Sequence, residues 1–214
     1  MKTCVLLPTR NEVLSIQEVI TRVKALGYDI IVVDENSKDG TIEIAERNNV
    51  PVYQRKGLGK GCGVQTALKI THQKGYDLMV IMDCDCTYPP EYIPHLLKFI
   101  PKYDMVVGKR NVENIIWPHR LPNLFHTRLM NLLYLSNLKD VNSGMRIIKI
   151  EKFLNKLDAK QFDIEAQITT TALKNKLKIK EIPIEYKKRK GESKIRIKDG
   201  FIITWRIIIE RFRK

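Results

Sequence analysis

Short continuous apolar runs, each followed by an amphipathic stretch, constrain this chain more than any other feature. Residues 4–8, 29–33, 51–54, 78–82 and 104–107 read as strands. Between them, residues 14–26, 41–48, 58–74 and 91–100 carry helical spacing, and the third of these is entered through Gly57, Gly59, Gly61 and Gly63. Buried strands alternating with helices call for a mostly parallel sheet covered on both faces, an α/β fold. The 214 residues fit one domain with a substantial core. In sheets of this kind ligands gather at the carboxyl ends of the strands.

Polar residues collect at those ends. Pro8-Thr9-Arg10-Asn11-Glu12 follows the first run, and the series Asp34 to Thr41 follows the second. Asp83-Cys84-Asp85 follows the fourth, and Gly108-Lys109-Arg110 the fifth. Asp39 before Thr41 is explained as a helix cap. Asp34, Glu35, Asp83 and Asp85 are not. Unpaired, they would repel one another, so a cation or a hydrogen-bonding ligand must sit among them. Asp-x-Asp after a buried strand suits a hard divalent ion, Mg²⁺ or Mn²⁺, which takes oxygen ligands and completes its shell with water and phosphate.

The formal net charge is +14, and residues 176–214 hold 14 Lys/Arg against 5 Asp/Glu. Such a field favours a polyanion: nucleotide phosphates, nucleic acid or an anionic membrane face. A basic nucleic-acid-binding domain is the non-enzymatic alternative. It leaves the acidic rim unexplained and lacks a stacking or recognition-helix pattern, so nucleic acid is not the expected partner. A sugar-nucleotide pyrophosphorylase would open with a glycine-rich loop, which Leu7 to Glu12 lacks. The four cysteines have no C-x-x-C spacing and no secretory pattern precedes them, so they read as reduced thiols of a cytoplasmic protein.

The segments LPTRNE (7–12), VVDENSKDGT (32–41), MDCDCTYPPEYIP (82–94), VGKR (107–110), DVNSGMR (140–146) and GESK (191–194) together resemble the motif series of family 2 glycosyltransferases. Within that family the chain is similar to the dolichyl-phosphate mannose synthases and other polyprenyl-phosphate hexosyltransferases. The resemblance runs in order from residue 5 to about residue 200 and implies a GT-A fold that binds a nucleotide-sugar. It places Pro8, Arg10 and Glu12 beside the nucleotide, Val33 and Glu35 at base and ribose, and Asp83, Cys84 and Asp85 at the diphosphate. Asp85 and Asp83 are the implied metal ligands. Arg10 stands where the family has Tyr, Glu35 where it has Asp, and Cys84 where it has Ala. The donor is then GDP-mannose or UDP-glucose.

A hydroxyl acceptor must lose a proton as it attacks and needs a base, whereas a phosphate monoester arrives anionic and needs cations to position it. The resemblance supplies Arg110, Arg128, Arg189 and Lys194 for an acceptor phosphate, with Arg110 counted as catalytic beside the two aspartates. Arg146 reads equally as a structural ion pair. Asp163 and Glu165 are the candidate bases for the alternative, a hydroxyl acceptor; both also suit the first turn of a helix. The expected activity is inverting hexosyl transfer to a polyprenyl (dolichyl) phosphate.

No apolar run approaches the roughly 20 residues a spanning helix needs. Residues 1–198 are expected to form the transferase domain and residues 199–214 a basic amphipathic helix. In that helix Phe201, Trp205, Ile208 and Phe212 share one stripe, and Arg206, Glu210 and Arg213 another. This suits an interfacial helix on an anionic membrane surface, peripheral on the cytoplasmic face, or a contact for a membrane subunit. Residues 121–138, rich in Leu, could lie beside it.

Overall fold

The computed structural model describes residues 1–111, 113 and 117–213. Seven strands form one sheet in the order β3-β2-β1-β4-β6-β5-β7. They are β1 (Thr3–Thr9), β2 (Asp29–Asp34), β3 (Val52–Gln54), β4 (Leu78–Ile81), β5 (Met105–Arg110), β6 (Arg146–Lys149) and β7 (Ile179–Ile184). β1 pairs in parallel with β2 and β4, β2 with β3, and β5 with β7. β6 runs antiparallel between β4 and β5. The five expected strands are present. β6 and β7 are additional, and neither carries the continuous apolar run that marks β1, β2, β4 and the start of β5: β6 opens on Arg146, and β7 interleaves Lys180, Glu181 and Pro183 as an edge strand.

Both faces of the sheet are buried, because successive residues of each inner strand point to opposite sides. Val5, Leu7, Ile30 and Val32 join Ile16, Val19, Ile20 and Val23 of α1 (Ile16–Ala25) and Ala45 of α2 (Thr41–Arg47). Ile93 and Leu96 of α4 (Ile93–Leu97) complete that layer. The alternate residues Cys4, Leu6, Ile31 and Val33 meet α3 (Lys60–Gln73), α6 (Ile150–Phe153) and α7 (Ile164–Lys174). The helix expected over residues 91–100 is shorter: a 3-10 turn at Pro90–Tyr92 leads directly into α4.

Two local details aim the site. Gly57 and Gly59 both have φ of 96°, the left-handed region open to glycine, and turn the chain into α3. The first amide groups of α3 are then satisfied by backbone: Gly61 N donates to Gln161 O (3.1 Å) and Cys62 N to Lys160 O (3.2 Å). A Cβ at Gly61 would come within 2.0 Å of Ala159 O, so the helix start and the 159–161 segment touch backbone to backbone.

The last layer is α5 (Trp117–Tyr134) with α8 (Ile197–Phe212), joined through Met130, Val141, Ala166, Ile203 and Ile207. The boundary expected between residues 198 and 199 falls inside α8, which packs on α5 and α7. Lys214, counted with the basic tail, lies outside the described residues. The Arg206 and Glu210 side of α8 faces inward: Arg206 reaches Asp158 (2.9 Å), Asp163 (2.8 Å) and Glu210 (3.1 Å). The apolar stripe faces out, with Phe201 74%, Trp205 64% and Phe212 77% exposed; Ile208, placed on that stripe, is half-buried. Among the described residues no helix is long and apolar enough to cross a membrane.

Candidate active site at the carboxyl rim of the sheet

The ends of β1 and β2 are tied together by side chains. Asp34 is fully buried and accepts from Thr9 Oγ1 (2.6 Å), Ser37 N (2.7 Å) and Ser37 Oγ (2.6 Å). It is a structural acceptor, saturated by its neighbours. Asp39 accepts from Thr41 N (3.1 Å) and Val13 N (3.0 Å) and so fastens the loop before α2, but the cap position itself is Gly40, which makes no side-chain cap bond, so the expected aspartate cap is not the one found. Pro8 pairs in register with Val33, whose side chain belongs wholly to the core beneath the rim. Glu35 lies at the surface of this corner, 3.3 Å from Arg10 Nη1 and 2.8 Å from Arg55 Nη1, and accepts from Gly59 N (3.2 Å).

β4 delivers the aspartate pair. Asp83 has a side chain 30% exposed, and Lys60 Nζ sits 2.5 Å from its Oδ1. The same Nζ is 2.5 Å from Glu165 Oε1, so Lys60 bridges the rim to the start of α7. Gly144 leaves space for this carboxylate, since a Cβ there would lie 2.3 Å from Asp83 Oδ2. Asp85, 3% exposed, accepts from Thr87 N (3.0 Å) and Thr87 Oγ1 (2.5 Å) and pairs with Arg189 Nη1 at 2.9 Å. Burial pushes the Asp85 carboxyl above its ordinary range and the neighbouring Asp83 charge adds to that; Arg189 and the Thr87 donors offset only part. Burial acts on Asp83 in the same sense, but Lys60 outweighs it and the carboxyl sits below its ordinary range. Cys84 is buried between the two.

The segment after β7 folds back across this rim. Lys187 N donates to Thr87 O and Lys190 N to Asp85 O, both at 2.9 Å. Arg189 also lies 3.6 Å from Glu12 Oε1, and Lys194 Nζ reaches the same oxygen and Asn11 O (3.2 Å). Burial raises the Glu12 carboxyl, with Lys194 and Arg189 working against it. Arg189 and Lys194 thus stand over Asp85 and Glu12 as counter-ions.

The other expected residues are placed as follows. Arg110 directs Nε (2.8 Å) and Nη2 (2.7 Å) at Asp140, its backbone N donates to the same carboxylate (3.0 Å), and its guanidinium lies 5.3 Å from the Tyr186 ring. Arg128 is exposed on α5, on the same stripe as Leu121, Phe125 and Leu132. Arg146 makes no ion pair among the described residues. Its buried fork donates to Ser143 O (2.6 Å), Val141 O (3.2 Å), Glu165 O (3.1 Å) and Thr169 Oγ1 (3.2 Å), clamping the loop before β6 onto α7. Asp163 is paired with Arg206 and Glu165 with Lys60. Lys60 and Arg55 are the rim residues that sequence reasoning missed, and only Lys60 carried a signal, its place in the glycine-rich entry to α3; Asp140 heads the DVNSGMR motif and Arg206 lies on the charged stripe of the last helix, but their partners were not read from the sequence.

Residues 4–157 match Glycosyl transferase family 2. The chain belongs to this family. It is 32% identical over 94% of its length to a low-salt glycan biosynthesis hexosyltransferase of Haloferax volcanii, and spans about half (51%) of that relative. It is 27% identical over 91% of its length to an undecaprenyl-phosphate mannosyltransferase of Micrococcus luteus, covering 88% of that protein. Glucosyl-3-phosphoglycerate synthase from Mycobacterium tuberculosis, solved with Mn²⁺, UDP and glucosyl-3-phosphoglycerate, superposes with a TM-score of 0.80 at 19% identity, over 98% of this chain and 78% of that one. The fold of this family 2 glycosyltransferase is therefore GT-A, and it is an enzyme; the nucleic-acid-binding alternative gives way.

Whether the rim suits a divalent ion is a question of donor chemistry. Among the described residues no group of three or more His, Cys, Asp or Glu side chains is arranged to hold one. Asp83 and Asp85 supply hard oxygen donors, and a guanidinium already rests on Asp85. This fits an ion that draws its remaining ligands from phosphate and water.

Proposed function

We propose that this glycosyltransferase moves a hexose from a nucleoside-diphosphate sugar, GDP-mannose or UDP-glucose, to a polyprenyl (dolichyl-type) phosphate. One observation carries the choice of acceptor: both carboxylates that could deprotonate a hydroxyl are engaged, Glu165 by Lys60 and Asp163 by Arg206. A carboxylate held by a cation at 2.5–2.8 Å is not free to reach the proton of an incoming hydroxyl. A phosphate acceptor needs none, and Arg189, Lys194, Arg128 and the remaining Nη1 corner of Arg110 are cations suited to it.

In this reading Arg10, Glu12 and Glu35, with Pro8 and Val33 beneath them, hold the nucleoside, and Asp83, Cys84 and Asp85 lie along the diphosphate. Mg²⁺ or Mn²⁺ on Asp83 and Asp85 would neutralise charge on the departing diphosphate. An acceptor phosphate oxygen attacks the sugar C1 in line, the bond from C1 to the diphosphate oxygen breaks, and the configuration inverts. Arg189 and Lys194 leave Asp85 and Glu12 as the ligands arrive and turn to the phosphates. The outward apolar stripe of α8 brings the protein to an anionic membrane surface, on the cytoplasmic face; a membrane subunit is the competing occupant of that stripe.

The test is transfer of labelled hexose to dolichyl phosphate and, separately, to alkyl and sugar hydroxyls. Formation of an acid-labile, inverted sugar phosphodiester, abolished by Asp85→Ala, is the expected result. Transfer to hydroxyls with none to the lipid phosphate overturns it.

A further inference from the structure

Arg55 takes no part in the chemistry above, yet it is among the most enclosed cations of the rim. Its backbone N donates to Asp34 O (3.0 Å), carrying the β2–β3 ladder one residue past β3. Its side chain, 4% exposed, turns inward between the strand ends. Nη2 donates to Thr9 O at the end of β1 (2.6 Å), while Nη1 lies 2.8 Å from Glu35 Oε2. Nε is buried and has no partner among the described residues. Gly63 of α3 lies opposite this group, where a Cβ would sit in ordinary contact with the guanidinium at 3.8 Å.

The consequence falls on Glu35. Its Oε2 receives Arg55 and the Gly59 amide together. A carboxylate oxygen has about two acceptor sites, so Oε2 is filled. Among the described residues Oε1 meets only Arg10, whose side chain is largely exposed. The anchoring of Arg55 to the β1 carbonyl fixes the plane of the fork, and with it which oxygen of Glu35 faces outward. A free carboxylate reads guanine with both oxygens, one on N1–H and one on the N2 amino group. Uracil offers a single N3–H between two carbonyls.

We propose that Arg55 is a positioning residue for Glu35 and thereby sets the base: one oxygen is left for the nucleoside, which selects a uridine diphosphate sugar over a guanosine one. This rests on the reading of Glu35 as a nucleoside contact. Isothermal titration of the wild-type chain with UDP and with GDP, each with Mg²⁺, tests it. UDP is expected to bind at least about tenfold more tightly than GDP, the scale of one satisfied against one unsatisfied polar contact. Arg55→Lys keeps the charge but cannot hold Thr9 and Glu35 at once. It should weaken UDP by about tenfold and bring the two nucleotides close to parity, while Glu35→Gln added to it costs no further affinity because the two act as one unit. A purely structural Arg55 would weaken both nucleotides alike and leave their ratio unchanged. That result, additive losses in the double variant, or equal binding of UDP and GDP by the wild type overturns the inference. If the wild type binds neither nucleotide, the donor reading itself falls and this inference with it.

Discussion

At the scale of single residues, Lys60 decides how two acids can share one rim. Without it, Asp83 and Glu165 would face the same space with no cation between them. Lys60→Met should therefore cost about 3 kcal/mol of unfolding free energy, the usual result of removing one partner of an enclosed ion pair. Urea denaturation at neutral pH measures it, and a loss within error of zero would remove Lys60 from this role. The acidic rim itself was legible in the sequence, because Asp83 and Asp85 end a run that can only be a core strand. The partners were not. Lys60 with Glu165, Arg110 with Asp140, and Arg189 with Asp85 join segments far apart in the chain, and no local pattern encodes which cation lands on which acid. The sequence also offered an ion pair for Arg146, where the fold supplies carbonyls instead.

At the scale of elements, α8 is held from two sides. Arg206 ties it to α7, and His126 of α5 ties it through Gly200 O and Thr204 Oγ1, each 3.1 Å from Nε2. Nδ1 of the same ring lies 2.9 Å from Asn142 Nδ2. An amide nitrogen can only donate, so Nδ1 accepts, Nε2 carries the hydrogen, and the ring is neutral. Burial pulls its pKa below the ordinary 6.5, with the Gly200 contact working against this. A histidine depressed in the folded state stabilises the fold above its unfolded pKa. That contribution is lost as pH falls through 6.5 toward the folded value. Stability should drop by about 1.4 kcal/mol per pH unit for this one proton over that window. His126→Gln should flatten the difference between urea midpoints at neutral and mildly acidic pH; equal slopes in both proteins would exclude the histidine. The sequence announced α8 as amphipathic. It did not say which side would face the protein, and the inward choice of the charged side follows from Asp158, Asp163 and Gln167 waiting on and before α7.

For the molecule as a whole, the proposed docking on an anionic membrane uses both the surplus of positive charge and the outward aromatic stripe. Co-sedimentation with vesicles rich in anionic lipid should weaken as salt rises, because the Debye length shrinks. Trp205→Asp should lower partitioning by about tenfold, the worth of one buried aromatic ring. Binding indifferent to both would favour a protein partner for that stripe. The strands were legible as far as β5, since four of the first five carry apolar runs and the short β3 follows a helix in the alternating pattern; their order in the sheet was not. Beyond that, β6 is four residues opening on a buried arginine, and β7 alternates charge along an edge, so neither stood out. Yet these two strands complete the sheet. β5 touches β6 on one side and β7 on the other, and never β4. On a ribosome, then, β1 to β4 can zip up as soon as β4 emerges, whereas β5 must wait, unpaired on both edges, until the later strands leave the exit tunnel; that half of the sheet is born late.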